Sequence, residues 1–259
     1  TNPDNCLENE RRTIHDRLLA LRHDVPPPTP QQSTFIEGEM YNFVQEVKKD
    51  LEAQGVNTRL APVLTDDVVD KQNSPSQRAG FEQDAGNGYT WLAKIGSFLK
   101  KESKQQYKAA RNILQYPPSE KLAAAPFVYA LTKAIKGCTW YAFVEPVKVA
   151  ERVVEVLANS DQDVFEFFET DFSKMDAHIN ADARKFELIL FTAFFPDYNE
   201  EIMRLNDRHI DCTVRATFGT KYEQEKTRAS GELKTSLCNT FFSKFVAYLS
   251  ARMTKNPRT

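Results

Sequence analysis

The chain has 259 residues, 41% of them hydrophobic and 27% charged, with a formal net charge of −2. That is enough material for a sizeable buried core in one large domain or two. A balanced total excludes wholesale coating of nucleic acid but leaves room for a local patch. No run of about 18 apolar residues occurs, and Thr1-Asn2-Pro3-Asp4 does not open a signal peptide, so neither membrane insertion nor secretion is expected. Cys6, Cys138, Cys212 and Cys238 are scattered, without zinc spacing to any histidine, and read as reduced intracellular thiols.

The first periodic stretch, Leu7 to about His23, places Leu7, Ile14, Leu18 and Leu21 on one helix side until the proline run 26–30 stops it. A second helix is expected from about Thr34 to Gln54, with Gly55 as its left-handed cap. Residues 56–88 have weak periodicity and read as loop with short elements. From Lys94 to Lys136 nine cations face only Glu102 and Glu120. Ser119 could cap a helix running to about Lys136, and Pro146 could open another through Ala158. Val164 to Phe172 is dense in strand formers and reads as a buried strand that delivers Asp171 to its end. Helices over about 181–194 and 198–210 follow, then a hairpin around Gly219-Thr220 (212–218 with 222–229), then a helix from about Thr235 to Arg252. These elements give an α+β, helix-rich class in three regions: 1–60 helical, 61–145 carrying the basic stretch, and 146–259.

Two stretches carry candidate chemistry. In TDFSKMDAHI (170–179) a carboxylate at a strand end, Asp171, could hold a divalent cation, since hard ions need fixed oxygen ligands. Asp176 lies five positions on. Such a pair should arise by chance about once in a chain of this length. The plainer alternative is therefore a strand end followed by a helix cap. In SGELKTSLCNT (230–240) a Ser-Gly turn precedes a helix on which Thr235 and Asn239 share one face. A hydroxyl and an amide side by side suit the reading of a sugar hydroxyl. The S-G-x3-T-x3-N pattern is rare enough, roughly one in several hundred chains, to weigh against a simple capped helix.

With these residues in hand, TDFSKMDAHI resembles motif A, and SGELKTSLCNT motif B, of the palm of viral RNA-dependent RNA polymerases, particularly those of positive-strand RNA viruses. Phe98-Leu99-Lys100-Lys101-Glu102 through Arg111-Asn112-Ile113 resembles motif F, the basic fingers element, and Ser74-Pro75-Ser76 is a weak match to the fingers motif that guides template. The resemblance covers about Phe98 to Leu249. It implies the fingers and upstream palm of a right-hand polymerase and an RNA-directed RNA polymerase (nucleotidyltransferase) activity working by two metals. Asp171 would bind Mg²⁺, with Mn²⁺ as a substitute. Asp176 and Asn239 would recognise the ribose 2′-hydroxyl with support from Thr235. Ser230 and Gly231 would form a mobile turn near the template and the incoming nucleotide, and Arg111 with Lys100, Lys101, Lys104 or Lys108 would contact the triphosphate. The implied partners are template RNA, nascent RNA and nucleoside triphosphates, in the host cytoplasm or at a membrane-associated replication site.

The family also needs a second metal-binding motif, usually Gly-Asp-Asp after motif B, and none follows before Thr259. Either that motif and the thumb lie on residues beyond this sequence, or they sit on a second polypeptide, as in split polymerases of some fungal viruses related to narnaviruses. A permuted order using Thr65-Asp66-Asp67 is a third arrangement. The rival function is a noncatalytic RNA-binding or scaffold protein that keeps the polymerase fold, followed distantly by an unrelated interaction protein. Trp91, Trp140, Tyr141, His178 and His209 are assigned no role.

Overall fold

A computed structural model of the chain describes residues 4–21, 26–72, 74–87, 95–102, 109–141, 143–158 and 172–253. The expected strand at 164–172 falls outside this set but for Phe172, as do Asp171, Lys104 and Lys108.

Helix α1 (Leu7–Arg17) is shorter than its apolar pattern suggests, because Leu18 leaves helical dihedrals and turns into the core ahead of a 3-10 turn, Leu19–Leu21. Helix α2 (Pro30–Ala53) starts four residues before the expected Thr34. Thr29 accepts from the Gln32 amide while the Gln32 side chain accepts from the Thr29 amide, and Pro30 takes the first-turn place where its missing donor costs nothing. The weakly patterned region holds two helices, α3 (Thr65–Asp70) and α4 (Pro75–Asn87). Their periodicity is faint because each anchors through little more than one residue, Val68 and Phe81, against Leu122 and Ala125. Asp66 and Asp67 sit exposed in the first turn of α3.

The basic stretch contains two strands that the sequence reading did not distinguish, β1 (Ile95–Lys100) and β2 (Arg111–Gln115). Helix α5 (Pro118–Ile135) begins one residue before Ser119, which is buried in its first turn rather than capping it; Pro126 does not end the helix, and its carbonyl accepts from the Val63 amide. Helix α6 (Pro146–Ala158) has the expected bounds. The single turn α7 (Met175–His178), α8 (Ala181–Phe194) and α9 (Asn199–Arg208) lead to the hairpin of β3 (Thr213–Ala216) and β4 (Lys221–Glu223), and α10 (Thr235–Met253) closes the chain. The hairpin turns at Gly219 with φ +92, as expected, but β4 stops at Glu223, where Glu225 takes a positive φ and turns the chain away from the sheet.

The four described strands form one sheet in the order β2-β1-β3-β4, with β1 antiparallel to β2 and parallel to β3. Ile14 of α1 and Leu18 just after it cover the sheet, packed on Ile95, Leu114 and Val214. A larger core joins α2, α5, α8 and α10, where Phe43, Phe186 and Phe245 meet, the last two stacked at 4.8 Å. Sheet and helical core are thus brought together where α10 begins. The four cysteines are free.

Candidate nucleotide site

Lys174 adopts a left-handed conformation (φ 50), which turns the chain sharply into α7 and aims Asp176 back at the start of α10. Its carboxylate accepts from Ser230 Oγ at 2.8 Å and from Asn239 Nδ2 at 3.1 Å, and its backbone carbonyl accepts from the Arg228 amide at 2.8 Å. The D-x4-D and S-G-x3-T-x3-N stretches therefore meet through Asp176, Ser230 and Asn239, over sequence separations of 54 and 63. Asp176 is not spent as a helix cap. Thr235 shares a helix face with Asn239, but its hydroxyl donates to the Glu232 carbonyl at 2.8 Å, which closes the turn, and it does not line the cavity.

That cavity has a volume of about 350 Å³, within the usual range for small-molecule sites. Asp176, Ser230 and Asn239 form one wall; Arg111 and Asn112 of β2 form another, and Lys174, Arg228 and Arg17 add further cations. Asp176 is the only carboxylate among its described lining residues. Of the other basic residues singled out from sequence, Lys100 pairs with Glu102 at 2.6 Å across the β1–β2 register from Arg111, and Lys101 is exposed. Neither lines the cavity. Ser230 also borders a second, wider cleft of about 880 Å³, together with Gly231 and, from α4, Ser76 and Gln77. The weak sequence match at 74–76 thus lies opposite the Ser-Gly turn.

The turn is held from beneath by charges that sequence reasoning missed. Arg184 of α8 donates to both oxygens of Glu232, at 2.9 and 2.6 Å, and to the carbonyls of Lys226 and Thr227. Glu187 accepts from Arg184 at 3.2 Å, from Lys234 at 2.9 Å and from Arg228. All five side chains are buried. Burial alone would raise the Glu187 carboxyl, but Arg228, Lys234 and Arg184 hold it well below the ordinary range; Glu232 is held low against burial chiefly by Arg184. The signal for this cluster was present in Arg184 and Glu187, an i,i+3 ion pair among the apolar positions of α8. His209 is buried against the Tyr116 ring, and burial, helped by Lys234, pushes it down to about 4, so it is neutral at pH 7 and suited to packing.

Among the described residues no group of three or more His, Cys, Asp or Glu could hold a metal ion. The fit to a divalent cation is therefore partial. Phe172, which follows Asp171 in sequence, lines the cavity, and Asp176 offers it a carboxylate already oriented by two donors.

Residues 89–257 match the model of a family described as viral RNA dependent RNA polymerase. The chain is 24% identical over 255 residues to the RNA-directed RNA polymerase of Atlantic halibut nervous necrosis virus, a match that takes in 97% of this chain and 25% of that protein. It is 28% identical over 202 residues to the corresponding polymerase of Black beetle virus, covering 73% of this chain and 19% of that protein. The chain thus spans about a quarter or less of the length of these curated relatives. In fold it is similar to a loop-deletion mutant of the RNA-dependent RNA polymerase of a human picobirnavirus, with a TM-score of 0.70 at 14% identity, over 95% of this chain and 52% of that one.

Proposed function

The chain belongs to the viral RNA-dependent RNA polymerase family, and from that premise we propose that it forms the nucleotide-binding part of an enzyme performing template-directed RNA synthesis. The observation that carries this reading is the contact of Asp176 with Ser230 and Asn239 in a cavity faced by Arg111. In the reaction the 3′-hydroxyl of the growing strand attacks the α-phosphate of a nucleoside triphosphate. A bond forms between that oxygen and phosphorus, and pyrophosphate leaves.

A ribose 2′-hydroxyl can donate to the Asp176 carboxylate and accept from the Asn239 amide, so the pair suits ribonucleotide selection. A deoxyribonucleotide would leave both groups without that partner, which is how polar sites reject analogues. Arg111 supplies a planar fork for phosphate oxygens, and the family resemblance assigns Lys100, Lys101, Lys104 or Lys108 to the triphosphate with it. The wider cleft beyond the Ser230-Gly231 turn suits the template strand, with Ser76 and Gln77 on its far wall. Polymerases of this kind use divalent metal ions; Mg²⁺, or Mn²⁺ in its place, would be held by Asp171 and would stabilise the attacking and leaving oxygens.

The second acidic motif and the thumb belong in this reading to the rest of the polymerase. Its presence on the same polypeptide accords with relatives about four times the matched length, and a second chain is the alternative. In this reading replication takes place in the host cytoplasm or at a membrane-associated site. No described helix is long and apolar enough to cross a membrane.

In the complete polymerase, Asp171→Ala should abolish nucleotide addition, scored on a primed template, without lowering the melting temperature. Retained activity would remove the metal assignment. Asn239→Ala should lower the preference for ribo- over deoxyribonucleotides by roughly 10- to 100-fold, the loss of one or two hydrogen bonds. An unchanged preference would remove its role. RNA binding by the wild-type protein with no addition under any metal would favour the scaffold reading instead.

A further inference from the structure

Helix α1 precedes every motif of the polymerase pattern, yet Thr13, Arg17 and Leu18 line the same cavity as Asp176 and Asn239. Its position is fixed from three directions. Glu10, only 1% exposed, accepts from the backbone amides of Phe218 at 2.7 Å and Thr220 at 3.3 Å, at the tip of the β3–β4 hairpin. Ile14 and Leu18 are packed into the sheet core. Lys174, the left-handed residue ahead of Asp176, donates its ammonium to the Asp16 carbonyl at 3.0 Å. A helix held in this way delivers its last residue to a defined place.

That last residue is Arg17, half-buried at the cavity wall. Burial lowers its pKa, and Arg111 lowers it further: two guanidinium groups address one space. The described acid that acts on Arg17, Glu102, already pairs with Lys100 at 2.6 Å and Arg111 at 3.5 Å. Two like charges facing one cavity, one of them half-buried, repel until a polyanion enters between them, and guanidinium forks match phosphate oxygens closely.

We propose that Arg17 is a nucleotide-binding residue, its guanidinium gripping the triphosphate of the incoming nucleotide opposite Arg111, so that α1 is part of the nucleotide channel. This rests on the reading of the cavity as the nucleotide site. RNA backbone phosphate is the other source of the same chemistry, and the cavity's ribose-reading pair, Asp176 and Asn239, favours the nucleotide.

The test uses the complete polymerase with Arg17→Gln and Arg17→Lys. Single-nucleotide addition on a primed template should show the KM for the nucleotide raised roughly 10- to 100-fold in Arg17→Gln, as for loss of a charged hydrogen bond, and partly restored in Arg17→Lys. Inhibition by inorganic triphosphate should weaken by a similar factor, while kcat, RNA affinity and melting temperature stay close to wild type. Unchanged KM and unchanged inhibition would overturn the proposal. So would a loss confined to RNA affinity, which would make Arg17 a contact to the RNA backbone, or a raised KM with an equally lowered melting temperature in both variants, which would make it structural. If the wild-type enzyme adds no nucleotide at all, the parent reading fails. Calorimetric binding of inorganic triphosphate then decides on Arg17 alone, equal affinity in wild type and Arg17→Gln overturning it.

Discussion

Gly231→Ala is expected to cut nucleotide addition by the complete polymerase at least roughly 100-fold, the scale of loss that follows about 1 Å of misplacement in a catalytic constellation. A Cβ on Gly231 would overlap the Leu114 carbonyl oxygen and lie 2.9 Å from the carbonyl carbon. Both are backbone atoms of β2, so no rotamer change relieves the clash. Either the turn or the strand must move. If the turn moves, Ser230 leaves Asp176, to which it donates at 2.8 Å. If the strand moves, Arg111 and Asn112, three and two residues before Leu114, leave the cavity wall. Overpacking of this kind should also cost about 1–3 kcal/mol of stability. Single-turnover addition and thermal melting check both expectations. A variant with near-wild-type rate would show that the close approach of turn and strand is not needed for function. Truncating the Leu114 side chain should give no rescue, because the obstacle is its carbonyl.

The requirement for glycine at 231 was visible in the sequence only as backbone freedom in a turn; the structure gives a different cause, crowding by a strand 117 positions earlier. The same division holds elsewhere. The helices at 181–194 and 199–208, the Gly219 hairpin and α10 were legible because their periodicity is local. The meeting of Asp176 with Asn239 was legible only through a motif pattern, since nothing in local chemistry links residues 63 apart. Strands β1 and β2 were hidden behind their charges, as Lys100 and Arg111 sit at the open end of a pair whose other neighbour, β3, comes more than 100 residues later. Thr235 was read as a cavity residue from its spacing, whereas its hydroxyl turns to the Glu232 carbonyl, a local hydrogen bond that spacing does not reveal. Arg17 had no signal at all: one arginine at the end of an amphipathic helix reads as solvated surface.

The second large effect is expected at Glu187. Five buried charges lie between α8 and the Ser230-Gly231 turn, three cations (Arg184, Arg228, Lys234) against two carboxylates (Glu187, Glu232). Glu187→Gln removes one carboxylate and leaves three buried cations sharing the other, which should destabilise the fold by roughly 3–5 kcal/mol, the usual cost of orphaning a buried charge. Since Arg228 lines the cavity and Lys234 ends the turn, nucleotide addition should fall with it. The pH dependence separates this cause from general loosening. The folded-state carboxyl is held below its ordinary value of 4.5, so its contribution is fully present above that pH and disappears as pH falls through the folded value. The gap in stability between wild type and Glu187→Gln should therefore be constant from about pH 8 to 5 and narrow below 4.5, as the unfolded wild-type chain takes up a proton at this carboxylate that the folded protein refuses. His209 acts in another window. Its pKa falls from 6.5 to about 4 on burial, so the unfolded chain takes up a proton that the folded one refuses, and stability drops as pH falls from 6.5 to 4. The drop is on the order of 3 kcal/mol, and it should appear in both proteins. Denaturant titrations across that range read both effects. A gap that opens or closes between pH 8 and 5 would mean that Glu187 acts through something other than its buried negative charge.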